Sequence, residues 1–289
     1  MSLSQQGPDP FPPEGVDLDR PSIARVYDWL LGGTANWAID REFGKKVASA
    51  FPLLKSGALS NRLFLHRAVR HLVRLGVRQF VDIGSGVPTV GNTHQVADEV
   101  APDAHVVYID NEPVAVAHSR LLLEESGDAR RHAIIQADMR DPIRLWEDVR
   151  ETGVIDLDQP VAVLLVAVMH IQQLGADGAD IGPRSVAWYR DLMPSGSYLV
   201  LSAATDDGVP APFDAQLGEI KQMYDASTSP VVLRTREEIG SLFGDFELVD
   251  PGLTWTPLWH PEESGPAAPE IDFDTPEESA VWCGVGRKP

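Results

Sequence analysis

From Gln79 to Ala203 the chain passes through five short apolar segments: Gln79–Ile83, His105–Asp110, His132–Ala137, Val161–Val168 and Tyr198–Ala203. Each is separated from the next by a helix-patterned stretch, with helices predicted near Thr93–Val100, Pro113–Glu125, Pro142–Glu151 and Pro183–Leu192. Parallel strands need crossovers of a dozen or more residues, so this rhythm specifies an α/β fold with a parallel sheet and flanking helices. The Val161–Val168 run is apolar without alternation, as a strand covered on both faces must be.

The flanks add to this frame. Ile23, Val26, Tyr27 and Leu30 recur at helical spacing after Pro21, and Gly32 and Gly33 supply the stop. A second helix is predicted from Ile39 to Ala50, ending before Pro52, and a third from Leu59 to Leu75, ending at Gly76. Residues 21–76 thus read as an N-terminal helical cap. Residues 1–20, with Pro8, Pro10, Pro12 and Pro13, read as a flexible tail. After the fifth strand, a helix is expected over Phe213–Ala226, and a capping box of Thr235 with Glu238 opens a helix running to Phe243. Strands Phe246–Val249 and Val281–Val285 would then close the sheet. Between those two strands, residues 257–279 are acidic and proline-rich, and are expected to be a disordered loop inserted in a Rossmann-like domain of residues 77–289.

Charge narrows the function. Forty-three acidic against 24 basic side chains give a formal net charge of −19, which repels a phosphate backbone and argues against a nucleic-acid partner. No apolar run reaches the ~18 residues of a membrane span, and the reading is of a soluble cytoplasmic protein. The single cysteine, Cys283, forms no internal disulfide and reads as a buried strand residue. No Cys/His cluster has metal-site spacing.

Chemistry concentrates where strands end. Val81-Asp-Ile-Gly-Ser-Gly-Val-Pro-Thr89 takes a buried strand into a glycine loop, the place where doubly wound sheets bind ligands. Gly84 and Gly86 allow a sharp turn and close backbone approach, whether for a ligand or for a plain tight turn. Thr89 stands where a dinucleotide fingerprint has its third glycine, so a diphosphate cradle is not supported. The next strand ends at Asp110, whose carboxylate suits two ribose hydroxyls and would repel a 2′-phosphate; the alternative is a solvated helix-start carboxylate. Asp138 follows the third strand and suits an adenine amino group, with Met139 packing on the ring; the alternative is a helix cap, a role that Asp141 already fills. Three acidic strand ends, Asp82, Asp110 and Asp138, fit a nucleoside that carries no phosphate.

This layout resembles the class I S-adenosylmethionine-dependent methyltransferases, with Asp82-Ile-Gly-Ser-Gly86 as the first motif and Asp110 and Asp138 as the second and third. More narrowly, Arg25-Val-Tyr-Asp-Trp-Leu-Leu-Gly-Gly33 and Asn61-Arg-Leu-Phe-Leu-His-Arg-Ala-Val-Arg70 resemble the bacterial family called S-adenosyl methyltransferase, long catalogued as a domain of unknown function. The resemblance implies a seven-stranded, mostly parallel sheet with its last strand antiparallel, a helical cap over the ligand, and S-adenosylmethionine as cofactor. Its expected site comprises Tyr27, Gly33, Arg62, Asp82, Gly84, Ser85, Gly86, Asp110, Asn111, Asp138 and Met139.

Arg62 suits the methionine carboxylate, the alternative being a surface or helix-pairing arginine, and Tyr27, Trp29 or Trp37 suit the sulfonium, the alternative being plain core residues. Gly32-Gly-Thr-Ala-Asn36 is expected as a cap hinge or a simple helix stop. His170, at the end of the fourth strand, is the candidate catalytic residue, as a general base, an acceptor-orienting group or a structural histidine. Ala203–Asp207 is a second candidate for the acceptor pocket. The expected activity is methyl transfer to a small-molecule acceptor. A non-catalytic regulator binding S-adenosylmethionine or S-adenosylhomocysteine, and an NAD-dependent oxidoreductase, are the competing readings. The residues bear on neither the oligomeric state nor the identity of the acceptor.

Overall fold

The computed structural model describes residues 16–89, 91–225 and 229–289. The tail expected over residues 1–20 falls largely outside the described residues, as does Ala226, the expected end of one helix. The parallel strands β1 (Gln79–Ile83), β2 (His105–Asp110), β3 (His132–Gln136), β4 (Ala162–Val166) and β5 (Tyr198–Ala204) stand in the order β3-β2-β1-β4-β5. Chain order reverses between β1 and β4, so a crevice opens at the carboxyl ends of these two strands. Beyond β5 the sheet continues with β8 (Val281–Arg287), antiparallel to β5, and β6 (Glu247–Leu248); a short β7 (Thr254–Trp255) also pairs with β8. The eight-stranded sheet is thus the expected seven plus the unforeseen β7, whose two residues are too short to leave a periodic signal.

Both sheet faces are covered. Val81, Ile83, Val107 and Ile109 pack with Leu145 of α6 (Pro142–Glu151) and Val186 and Tyr189 of α7 (Gly182–Leu192). On the other face Phe80, Val106, Leu164 and Val200 meet Phe64, Ala68 and Leu72 of α3 (Leu54–Arg74) and Val96 and Ala97 of α4 (Thr93–Asp98). The short helix α1 (Ile23–Leu30) and α2 (Ala38–Ala50) lie against the first turns of α3 and against α8 (Phe213–Asp225). Helix α3 therefore belongs to two layers, cap at its start and sheet cover at its end. It begins five residues earlier than its pattern suggested, because Gly57 within it is a packing residue: a Cβ there would lie 2.9 Å from the Ser279 carbonyl oxygen. Helix α5 (Pro113–Ser126) follows β2, and α9 (Arg236–Ser241) opens with the expected box, Thr235 N–H donating to Glu238 Oε2 at 2.8 Å.

Strand β4 stops at Val166 rather than Val168, since Ala167 takes a left-handed φ of 61°. The larger correction concerns residues 257–279, expected to be a disordered loop: its two ends are packed, at Trp259 and Glu263 and at Glu278 and Ser279, while most of the stretch between them is exposed. They carry 3₁₀ turns at Pro261–Glu263 and Pro276–Ser279, Trp259 is fully buried edge-on to Phe64, and Arg67 donates to the Trp259 and Thr256 carbonyl oxygens at 2.8 and 2.5 Å. Composition alone hid this. One tryptophan and a few carbonyls, gripped by arginines of α3, are enough to hold an acidic segment. Among the described residues no helix is long and apolar enough to cross a membrane.

Candidate active site

A cavity of about 520 Å³ occupies the crevice between β1 and β4. Its floor is the β1–α4 loop. Gly84 and Gly86 both have φ of +69°, and a Cβ on Gly84 would meet a Val168 methyl at 2.6 Å, so only glycine fits where this loop passes β4. The Gly84 and Ser85 N–H groups donate to the Ile109 carbonyl at 2.8 and 3.0 Å, tying the loop to β2. Asp110 follows directly. One of its oxygens accepts from Gly86 N–H and the other from Glu112 N–H, both at 2.8 Å, and burial nevertheless pushes its carboxyl up to about 6. Asp82 is also buried, with its pKa raised by that burial, and accepts a hydrogen bond from the Thr93 hydroxyl at 2.6 Å.

The roof comes from α1, α3 and the segment before them. Tyr27 donates its hydroxyl proton to the Ala58 carbonyl and accepts from Asn61 Nδ2, each at 3.1 Å, while the Asn61 carbonyl oxygen accepts from Ser202 Oγ at 2.5 Å. Ser202 Oγ in turn accepts from the N–H of Ala167 at 3.0 Å. This chain of bonds joins the cap to the two strand ends across the cavity and holds the strained Ala167 in place. Beside it, Arg62 has a buried Nε without a partner. Its one side-chain hydrogen bond is long, 3.4 Å, to Asn92, and it forms no ion pair among the described residues, although its charge acts on the buried Asp82 carboxyl and partly offsets the rise caused by burial. The Ser85 hydroxyl of the same wall is likewise buried and unpartnered.

Residues 17–25 close one side. Arg25 and Asp40 form an ion pair at 2.8 Å with both side chains buried, Arg25 donates further to the Asp17 and Arg20 carbonyls, and Ser22 Oγ donates to Glu112 at 2.7 Å. Glu112, at the start of α5, lies two residues beyond Asp110, so this clamp sits directly on the acidic strand end.

Of the residues expected from sequence, Tyr27, Arg62, Asp82, Gly84, Ser85, Gly86, Asp110, Asn111, Met139 and His170 all line the cavity. Gly33 and Asp138 do not line it. Gly33 is the seat of buried Asp28, whose carboxylate would lie 1.9 Å from a Cβ there. Asn36 bonds both Asp28 and the Gly33 carbonyl, so the Gly32–Asn36 turn is cross-linked and not a free hinge. The Asp138 carboxylate is taken up by Arg140, whose hydrogen bonds outweigh burial and hold it below the usual carboxylate range. Trp29 packs on Gly44 beneath Lys55, and Trp37 lies under Arg25, so the one cap aromatic at the cavity is Tyr27. Thr205 and Asp207 serve the segment before α9, where they bond Arg234 and Arg236, and stand outside the pocket.

His170 is half-buried in the β4 side of the wall. Its Nδ1 accepts from the Ala204 N–H at 3.3 Å, and burial with the nearby Arg234 charge lowers its pKa to about 4. Sequence reasoning missed Asn61, Ala167 and the Ser22–Arg25–Glu112 clamp. Asn61 stands beside Arg62 within a motif already noted, whereas the clamp joins residues 90 positions apart and leaves no local trace.

The S-adenosyl methyltransferase family model matches residues 11–289. A "putative methyltransferase" of Thermobifida fusca YX is 40% identical over 97% of this chain and 99% of its own, with a TM-score of 0.81. A DUF574 family protein of Streptomyces avermitilis MA-4680 is 34% identical over 94% and 99%, with a TM-score of 0.82. An O-methyltransferase family protein of Burkholderia thailandensis, 12% identical over 85% of this chain and 59% of its own, shares the fold with a TM-score of 0.50. No curated protein matches the sequence. With a Rossmann-like sheet, a glycine loop and acidic strand ends around one cavity, the chain belongs to the S-adenosyl methyltransferase family, as an enzyme dependent on S-adenosylmethionine.

Proposed function

We propose that the protein methylates a small-molecule acceptor inside this cavity, with its cofactor lying across the ends of β1 and β2 and its methyl group toward β4. The observation that carries the reading is the presence of two unmatched groups on one cavity: a guanidinium at Arg62 whose buried Nε has no hydrogen-bond partner, and a buried carboxylate at Asp110 bonded to backbone N–H groups with no cation in contact among the described residues. A buried donor left unmade costs ~1–3 kcal/mol, so the unpartnered Arg62 Nε and Ser85 hydroxyl are best explained by a ligand that completes them, while each Asp110 oxygen, bonded to one backbone N–H, keeps room to accept a further donor. An amino-acid carboxylate fits Arg62 and the unpartnered Ser85 hydroxyl, and ribose hydroxyls fit Asp110. Met139 supplies an apolar surface for a base ring, and Asn111 edges the same side.

When bound, the cofactor supplies a methyl group already activated on a sulfonium. The chain then has to align the acceptor and exclude water. Tyr27 presents its ring from the roof, the Arg25–Glu112 clamp shuts the ribose side, and the cavity confines acceptors to small molecules.

Calorimetric titration with S-adenosylmethionine and S-adenosylhomocysteine tests the assignment. Arg62→Ala and Asp110→Asn are each expected to weaken both ligands by about tenfold to a hundredfold, the loss from removing a charge-assisted hydrogen bond. Unchanged affinity in both variants would remove the site from this cavity.

A further inference from the structure

His170, four residues beyond the end of β4, bears on the chemistry of the acceptor, an inference that rests on the methyltransferase reading. A backbone N–H can only donate, so the Ala204 N–H on His170 Nδ1 requires that nitrogen to be bare and leaves the ring proton on Nε2. The ring therefore faces the cavity as a donor. The carboxylates on the cavity wall are Asp17, Asp82, Asp110 and Glu112, all from the N-terminal segment or the first two strand ends. The wall after β4, from Val166 to Gln173, contributes none. The charged groups nearest this wall come as ion pairs, with the cation and not the carboxylate lining the cavity in the second: Arg234 with Asp180, whose carboxylate accepts from the Gln173 N–H at 3.0 Å behind the wall, and Arg140 with Asp138 on the β3 side. Gln172 adds an amide.

We infer that His170 is a fixed hydrogen-bond donor to the acceptor through Nε2, not its base, and that the acceptor is a small oxyanion, a carboxylate or a phenolate that arrives deprotonated. The acceptor oxygen forms the new O–CH₃ bond with its own lone pair; the methyl–sulfur bond breaks and its pair stays on sulfur. An anion and a sulfonium become two neutral products, an ester or ether and a thioether, and no proton is left to remove. A primary or secondary amine would instead yield an ammonium, with no carboxylate on the acceptor wall to take its proton. Bare Nδ1 cannot serve, being occupied by Ala204.

Two measurements test this. Long-range ¹H–¹⁵N correlation of the whole protein with S-adenosylhomocysteine bound reads the tautomer directly, without an acceptor. The proton is expected on Nε2, with no titration of His170 between about pH 5 and 8; a proton on Nδ1, or a midpoint within that range, overturns the donor role. The second uses methyl-labelled S-adenosylmethionine with panels of aryl and alkyl carboxylates, phenols, amines and thiols. Label is expected on oxygen, and transfer to amines or thiols in preference overturns the acceptor class.

With the responding acid or phenol, His170→Gln, which keeps a donor near the Nε2 position, is expected to stay within about tenfold of the parent in kcat/KM, and His170→Ala to lose more than tenfold. Equal losses in the two, with an acidic limb abolished from the pH profile, would restore the base. Calorimetry with S-adenosylhomocysteine separates the readings. Retained affinity with no label on any panel rejects the oxyanion class, whereas lost affinity in the parent protein rejects the cofactor site itself.

Discussion

Asp110 shows how burial and recognition oppose one another within one side chain. Its carboxyl titrates near 6 in the folded protein because burial raises it further than two backbone N–H bonds lower it. A ligand whose hydroxyls donate to it prefers the ionised form, so affinity is full above that pKa and is lost as pH falls through about 6. Calorimetry of S-adenosylhomocysteine binding from pH 8 to 5 is expected to show this fall in the parent and a flat, weaker profile in Asp110→Asn. The stability sign is the reverse. A carboxyl raised from 3.8 favours the folded state below that value, and the contribution is lost as pH rises through about 6. Asp28, raised to about 6 chiefly by burial, acts in the same direction. In the ligand-free protein, thermal midpoints are therefore expected to drift downward, from these two groups, between about pH 4 and 7.

Gly33→Ala drives a methyl into the Asp28 carboxylate and is expected to lower the midpoint without the tenfold loss of affinity predicted for Arg62→Ala. The family resemblance implied Gly33 as a ligand contact. Its actual partner, a buried aspartate five residues earlier, could not be told from a solvated one by pattern. Asp138 misled in the opposite way, since Arg140 two residues on satisfies it from within its own loop.

Among the elements, β1 and β2 lie where the sequence placed them, because short apolar runs buried on both faces and bounded by turn residues leave little choice of register. What could not be read was α3's second task. Its apolar stripe announced a helix, but Ser60, Arg67, Arg70 and Arg74 look like an exposed face until residues 256–263 are laid along them. Arg67→Ala removes the donor of two buried carbonyls and is expected to cost ~2–4 kcal/mol in chemical denaturation. Limited proteolysis should then cut within residues 256–279, which the parent protein resists. Cleavage rates equal in the two proteins would mean that the segment is held by something other than α3.

For the molecule as a whole, two polar links at the cavity join cap and sheet domain: the Tyr27–Asn61–Ser202–Ala167 chain and the clamp of Arg25 with Asp40 and Glu112. The second is the more exposed to test. Arg25→Ala leaves Asp40 buried without its cation, a loss of ~3–5 kcal/mol, and frees residues 17–22 from the ribose side. Stopped-flow displacement of a fluorescent cofactor analogue is expected to show faster release in Arg25→Ala, and a smaller effect of the same sign in Glu112→Gln, which keeps the buried pair. An unchanged release rate in both would make the clamp purely structural.

The placing of β8 between β5 and β6 has a consequence in time as well as in space. The strand that flanks β5 is translated only after Thr205 to Ala280 have been added to the chain, a wait of about 4 to 15 s at ordinary elongation rates. Throughout that interval β5, apolar along most of its length, stands as an open sheet edge, a ready template for another nascent chain. Shielding that edge until Val281–Arg287 arrives is therefore expected to raise the yield of folded protein.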